Sequence, residues 1–290
     1  MKPRDIALAL AAPILWGVGF TFAKPALAQF PPMLMMTMIY IGTAAMLVGR
    51  RPPRTPLWAV LVIGAGGGAL QSIVIFTGLS HLPASTAVLV LQSQVPFAVL
   101  CAWLIGRERL SPTRLSGIAI AIGGVAVIAG APESVDDYPS LLLVIGGALV
   151  WAAAQALIRA FGRDDGATTT GLIGLVSAPL ALAGSLLFEG GQWHAVQSAT
   201  VADWGALAIV FLLGYLLAYS AWYQVLGRYR VDQVTPFILL MPIAGVITGT
   251  LALGEAPGAR VLAGGVVILA GLWIVVRVAP APAPVAAAGQ

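Results

Sequence analysis

The chain reads as a succession of apolar runs separated by short polar breaks. The runs fall near 5–23, 32–49, 57–79, 85–105, 115–131, 140–160, 167–188, 205–226, 233–253 and 261–278. An α-helix needs about 20 residues to cross the hydrocarbon core of a bilayer, which these runs approach or reach. In hydrocarbon, every backbone N–H and C=O must find its partner within the protein, which leaves helices and closed β-barrels as spanning structures. A barrel requires segments of ~10 residues in which apolar and polar positions alternate. These runs do not alternate and are rich in Leu, Val, Ala and Gly. The pattern therefore predicts an all-α polytopic membrane protein with ten transmembrane helices, spans 1 to 10.

Composition narrows the class. Of 290 residues, 59% are hydrophobic and only 9% are charged, against roughly 25% charged in soluble domains. So few charges exclude a soluble enzyme, a nucleic-acid binder, a disulfide scaffold and a disordered chain. The single cysteine, Cys101, sits inside an apolar run, so it implies neither an intrachain disulfide nor a thiolate metal site. The net charge of +4 would ordinarily suggest a polyanionic partner. Its distribution points elsewhere. With a cytoplasmic N-terminus, the inner segments hold Lys2, Arg4, Arg50, Arg51, Arg54, Arg107, Arg109, Arg114, Arg159, Arg163, Arg228, Arg230 and Arg277, and the outer ones hold Lys24 and Arg260. Cytoplasmic loops concentrate Lys and Arg, so this asymmetry predicts both termini inside. Met1 to Gln29 also reads as a cleavable signal peptide ending at Ala26-Leu27-Ala28-Gln29, which would leave nine spans. An internal repeat argues against that reading.

The two halves of the chain match. Trp16 and Lys24 in span 1 have the spacing of Trp151 and Arg159 in span 6. Glu108, Leu115, Gly117 and Gly124 recur with identical spacing as Glu255, Leu262, Gly264 and Gly271. Phe76 and Leu79 match Tyr223 and Leu226, and Pro96 matches Pro242 to within one residue. Each copy holds five spans. Five is odd, so the second copy enters the membrane from the opposite side, an inverted-topology repeat of the kind that places a binding site at the midplane. The expected boundaries are 1–131 for the first five-helix repeat, 132–278 for the second and 279–290 for a disordered cytoplasmic tail of alternating Ala and Pro.

Ten helices in two five-helix halves, the Leu15-Trp16-Gly17 pattern, and the Glu108 and Glu255 corners leading into Gly-rich helices resemble the drug/metabolite transporter superfamily in its EamA-type branch. The likeness covers residues ~5–278. It implies that spans 1–4 and 6–9 surround a central cavity with spans 5 and 10 outside it. It further suggests an exporter of amino acids and related metabolites in a bacterial inner membrane.

Polar and aromatic side chains at membrane depth are costly unless they face a cavity or each other. By depth, the substrate-binding candidates are Trp16, Tyr40, Gln71, Gln92, Gln94, Trp151, Gln155, Tyr215 and Tyr219. Trp151 and Gln155 share a helix face, as do Tyr215 and Tyr219. Gln92 and Gln94 point to different faces, so at most one meets substrate and the other holds helices together. Aromatic walls with a few amides suit a small, partly apolar metabolite. Trp222 and Tyr223 extend the Tyr215 and Tyr219 pair but, lying near the cytoplasmic end of span 8, read foremost as an interfacial belt.

Pro96 and Pro242 break the backbone ladder in mid-span and are hinge candidates, while Pro179 and Pro236 read as static bends. His81, in a short outer loop, is a gate candidate or a plain solvated histidine. The glycines spaced by seven in spans 5 and 10 predict close packing between those spans or between protomers. Lys24 and Arg159 are vestibule cations or snorkelling anchors. Beyond Asp5, at the very start of span 1, no span contains Asp or Glu, whereas small multidrug proton antiporters, distant relatives in helix style, rely on an acid in span 1 where this chain has Ala11-Ala12-Pro13. This weakens a proton-coupled exporter of organic cations.

No metal, cofactor or enzyme constellation is expected. His81 and His194 lack partners at ligand spacing, and neither a Walker motif nor a Gly-x-Ser-x-Gly elbow occurs. The expected partners are a small-molecule substrate and the lipid bilayer, not nucleic acid, with the chain acting as a monomer or homodimer. The leading expectation is a secondary transporter that exports small metabolites, aromatic or other neutral amino acids foremost, by alternating access. An exporter of drugs or quaternary cations and a non-transporting membrane scaffold are the alternatives.

Overall fold

The computed structural model describes residues 1–49, 52–106, 112–129, 137–229, 234, 237–238 and 240–277. Its helices follow the ten apolar runs. We label them α1 (Pro3–Gln29), α2 (Pro32–Leu47), α3 (Leu57–His81), α4 (84–106), α5 (Pro112–Ala129), α6 (Asp137–Phe161), α7 (Gly166–Phe188), α8 (Val201–Leu226), α9 (Leu240–Leu253) and α10 (Ala259–Arg277). A short surface helix, Gln192–Ser198, joins α7 to α8. α1, α3, α6, α7 and α8 are each long and apolar enough to cross a membrane. α2, α5, α9 and α10 supply shorter apolar helices. α4 is divided by a tighter 3₁₀ turn at Leu91–Ser93. The face carrying the two ends of the ten-helix path is called the basic face below, after its Lys and Arg; the other is the opposite face.

The repeat is written into the contacts. α1 packs on α8 and α9, and α6 packs on α3 and α4. Each half thus lends its first helix to the third and fourth of the other. α2 pairs with α7, and α5 with α10, each with its own mate. The expected boundary near 131 and the tail 279–290 lie outside the described residues, as does Pro236.

Backbone detail repeats too. α3 widens into a π-helical stretch at Gly64–Leu70, and α8 does so at the equivalent Val210–Leu217. Such stretches are rare and tend to mark functional sites. In α8 the stretch brings Gly214 against Gly19 of α1. A Cβ added at Gly19 would lie 2.6 Å from the Gly214 Cα. In α3 the equivalent Gly67 meets Ala154 of α6, the position that matches Gly19. A glycine cluster at Gly64–Gly68 permits sliding or close packing; the structure adds the wider helix and the close approach to α6.

Both mid-span prolines follow 3₁₀ turns, Leu91–Ser93 before Pro96 and 237–238 before Pro242. Proline supplies no amide, so the carbonyl four residues earlier loses its helical donor and the preceding turn tightens. The seven-spaced glycines settle between α5 and α10. A Cβ at Gly124 would lie 2.7 Å from the Ile268 nitrogen, and one at Gly271 would lie 2.7 Å from the Gly117 oxygen.

Carboxylates tie the ends together. Glu189, just after α7, accepts from the Met33 and Leu34 amides at 2.6 and 3.0 Å, capping the start of α2. Asp164, between α6 and α7, accepts from the Arg54 and Thr55 amides ahead of α3 at 2.8 and 3.0 Å. Asp5 receives Arg228 at 2.9 Å and the Tyr229 hydroxyl at 2.6 Å, joining α1 to the end of α8. Free helix amides and the positive end of the helix dipole favour anions at these positions.

Candidate functional site

At mid-depth the four helices α1, α2, α6 and α8 converge on a column of rings. Tyr215, Tyr219 and Tyr223 recur every fourth residue and so share one face of α8. Neighbouring rings lie 4.7 and 5.6 Å apart. Tyr40 of α2 meets Tyr215 edge-on at 5.3 Å. Trp16 of α1 lies 5.1 Å from Tyr219 and 5.3 Å from Trp222. From α6, Trp151 faces the Tyr219 hydroxyl and Gln155 faces that of Tyr223. Tilted and edge-on geometries suit the ring quadrupoles and add to the energy of burial. The sequence-derived candidates Trp16, Tyr40, Trp151, Gln155, Tyr215 and Tyr219 are thus brought together.

In this column Nε1 of Trp16, Nε1 of Trp222 and Oε1 of Gln155 are buried and make no hydrogen bond within the protein; Oε1 of Gln92 and Oγ of Ser93 in α4 are likewise unpaired. A buried polar atom without a partner costs about 1–3 kcal/mol. Two donors and an acceptor left open on apolar walls are what a small polar ligand can satisfy. Tyr40 differs. Its hydroxyl donates to the Gly68 carbonyl at 2.6 Å and lies 2.7 Å from Ser72 Oγ, which in turn donates to Gln71 Oε1. The chain itself uses Tyr40 and Gln71 to hold the π-helical stretch of α3 to α2. Gln92 and Gln94 are both buried in α4, and Gln92 Nε2 bonds back to the Val88 carbonyl at 3.4 Å.

Trp222 and Tyr223 correct the sequence reading. An interfacial belt would leave them open to headgroups, yet they are 3% and 7% exposed and belong to the ring column. Depth counted along the chain placed them near the basic end. Tyr223 continues the four-residue register of Tyr215 and Tyr219, and Trp222 lies three residues after Tyr219; this is the signal that joins them to that pair.

His81 is exposed at the end of α3, away from the column. Met241 and Pro242 are buried in α9 where it meets Gly17 of α1. Among the described residues no group of three or more His, Cys, Asp or Glu is placed to hold a metal. A cavity of about 360 Å³ lies elsewhere, at the basic face between α2 and α7, bounded by Leu47, Pro52, Pro53, Thr168 and Leu172.

A ten-helix inverted repeat closed around aromatic and amide groups is the architecture of a membrane carrier. The family model for EamA-like transporters matches residues 4–130 and 139–277, and the chain belongs to that family. It is 30% identical over 286 residues to a probable amino-acid metabolite efflux pump of Salmonella typhimurium, covering 94% of this chain and 95% of that one. The Escherichia coli protein of the same description is 28% identical, with 94% and 95% coverage. A probable terminal-alkyne amino-acid exporter of Streptantibioticus cattleyicolor is 27% identical, with 84% and 82% coverage. One crystal structure shares the fold with a TM-score of 0.68 at 21% identity, covering 94% of this chain and 96% of its own. The protein is a multi-pass membrane transporter.

Proposed function

We propose that this transporter exports small neutral amino acids, aromatic ones among them, or closely related metabolites, from the cytoplasm across a bacterial inner membrane. The basic face is taken as cytoplasmic, following the distribution of Lys and Arg. The observation that carries the reading is the set of unpaired Trp16, Trp222 and Gln155 atoms in the tyrosine column, with Gln92 unpaired in α4. Trp151, Tyr215 and Tyr219 supply apolar faces for a side chain, while the indole N–H groups suit a carboxylate and the amide oxygens an ammonium group. Tyr40, Gln71 and Gln94 shape the wall. Pro96 and Pro242, each preceded by a tightened turn, serve as hinges, and His81 lies at the mouth of the opposite face. The names of the relatives from Salmonella typhimurium, Escherichia coli and Streptantibioticus cattleyicolor agree with an amino-acid cargo. The ring faces also suit an organic cation, so quaternary ammonium compounds belong in the same assay.

The test is Gln155→Leu in reconstituted liposomes. Gln155 Oε1 has no partner within the protein, and only the rest of the amide faces the Tyr223 hydroxyl, so the substitution is expected to lower stability by about 1 kcal/mol at most. Amino-acid flux is expected to fall about tenfold through a weaker apparent affinity, as for one lost hydrogen bond to a charged group. Full flux in this variant removes Gln155 from the site.

A further inference from the structure

The cavity at the basic face takes no part in the ring column. It lies where the end of α2 meets the start of α7. A Cβ at Gly171 of α7 would lie 2.8 Å from the Leu47 Cβ, so the two helices touch there. α2 stops at Leu47, and Gly49 turns the chain with φ +85°, a left-handed conformation that glycine adopts freely. Pro52 and Pro53 then form a second wall. Proline has no N–H, so this wall presents rings and no backbone donor. Val48 and Leu175 also line the cavity and are 39% and 50% exposed, which makes it a groove open on its outer side.

Positive charge collects at its mouth. Arg54 follows the proline wall directly, and the backbone brings Arg163 beside it. The Arg54 amide donates to Asp164 Oδ1 at 2.8 Å, and the Arg163 amide donates to Thr55 Oγ1 at 3.0 Å. The acids of this segment are already engaged. Asp164 also accepts from the Thr55 amide, and Asp165 caps α7 by accepting from the Thr168 amide at 2.8 Å. Both arginine side chains are exposed, and among the described residues neither pairs with a carboxylate. Trp58 and Phe161 meet edge-on at 4.7 Å on the same face, with Trp58 half exposed. Trp58 lies four residues after Arg54, and Phe161 two residues before Arg163. Exposed aromatic rings gather at the depth of lipid headgroups, so the two arginines stand at that depth.

We propose that this groove binds one acidic phospholipid, with an acyl chain against Leu47, Leu172 and Leu175 and the phosphate at Arg54 and Arg163. The apolar walls alone give little preference, because the surrounding bilayer is equally apolar. Selection falls to the headgroup, and basic pockets between transmembrane helices attract acidic ones. A zwitterionic cargo is poorly matched here, since Thr168 is the polar side chain on an otherwise apolar lining. The position bears on the ring column. A Cβ at Gly174 of α7 would lie 3.1 Å from the Tyr40 carbonyl oxygen, so the helix pair that holds the lipid also seats one of the rings.

This inference goes beyond the transport reading and does not depend on the cargo. The full chain in detergent is titrated with dioleoyl phosphatidylglycerol or dioleoyl phosphatidylcholine, and bound lipid is counted by native mass spectrometry. Phosphatidylglycerol is expected to occupy one site about thirtyfold more tightly than phosphatidylcholine, at about fivefold for each arginine. Combining Arg54→Gln with Arg163→Gln is expected to bring the two lipids to equal affinity, and Leu172→Trp, which fills the groove, to weaken both. Arg4→Gln removes a charge from the same face outside the groove and is expected to change binding by less than about twofold. Equal binding of the two lipids by the unaltered chain overturns the proposal. An equal loss in Arg4→Gln and in the double variant also overturns it, by marking a general charge effect of the face. Displacement of the lipid by glycerophosphate at equal concentration does so as well, because the acyl chain would then contribute nothing.

Discussion

Trp151→Ala is expected to reduce transport by about a hundredfold in liposomes containing equal amounts of folded protein. The indole lies at mid-depth on α6, 5% exposed, against the hydroxyl of Tyr219. Its truncation removes a large apolar face where the substrate side chain rests and uncouples α6 from the tyrosine column. An aromatic contact together with its buried area accounts for about 3 kcal/mol, which corresponds to roughly two orders of magnitude in binding. The same truncation opens a void and lowers thermal stability, so a second substitution separates the two effects. Trp16→Phe keeps a ring against Tyr219 and Trp222 and removes only an N–H that has no partner within the protein. Stability is expected to hold in Trp16→Phe while flux drops about tenfold. Flux unchanged in both variants, measured on monodisperse protein, would place the binding site elsewhere.

Gly271→Leu is expected to produce the largest loss of stability. Its Cβ alone would lie 2.5 Å from the Ala121 nitrogen and 2.7 Å from the Gly117 oxygen, both backbone atoms that side-chain movement cannot relieve. α5 and α10 must separate, at a cost of about 3 kcal/mol or more for overpacking against a rigid partner. Gly123→Leu is the control. It occupies the same pair of helices, but a Cβ there meets nothing within 4 Å. Replacing a helical glycine with a better helix former is then neutral or stabilising by up to about 1 kcal/mol. Thermal unfolding in detergent, followed by loss of the monodisperse peak, distinguishes the two. Equal melting temperatures would contradict the seam.

These cases show which features were legible in the chain. The α5–α10 seam could be read because a helix–helix contact without room for side chains demands glycine at fixed spacing, and Gly117, Gly124, Gly264 and Gly271 recur that way. What they could not reveal was whether the partner lay in the same chain. The inverted repeat was legible for the same reason: Lys24 and Arg159, or Glu108 and Glu255, are costly residues at membrane ends and stand out against an apolar background. The ring column was half legible. Trp16, Trp151 and Tyr215 announce themselves by depth, but depth follows from counting residues along an assumed regular helix. The π-helical stretches at Gly64–Leu70 and Val210–Leu217 break that assumption. The bond from Tyr40 to Gly68 was illegible, since nothing in α2 specifies which carbonyl of α3 it meets. Lys24 had two sequence readings, vestibule attractant and anchor, and its grip on Leu79 and Ser80 became visible only once α1 and α3 were set side by side.

The central claim is that purified protein alone moves small neutral amino acids through the ring column. Counterflow measures this directly: proteoliposomes loaded with unlabelled amino acid are diluted into labelled amino acid, with and without a pH gradient. The account predicts transient accumulation of label that saturates, persists without the gradient and falls about a hundredfold in Trp151→Ala. No accumulation of any amino acid, alongside saturable uptake of a quaternary ammonium compound by the same vesicles, would contradict it.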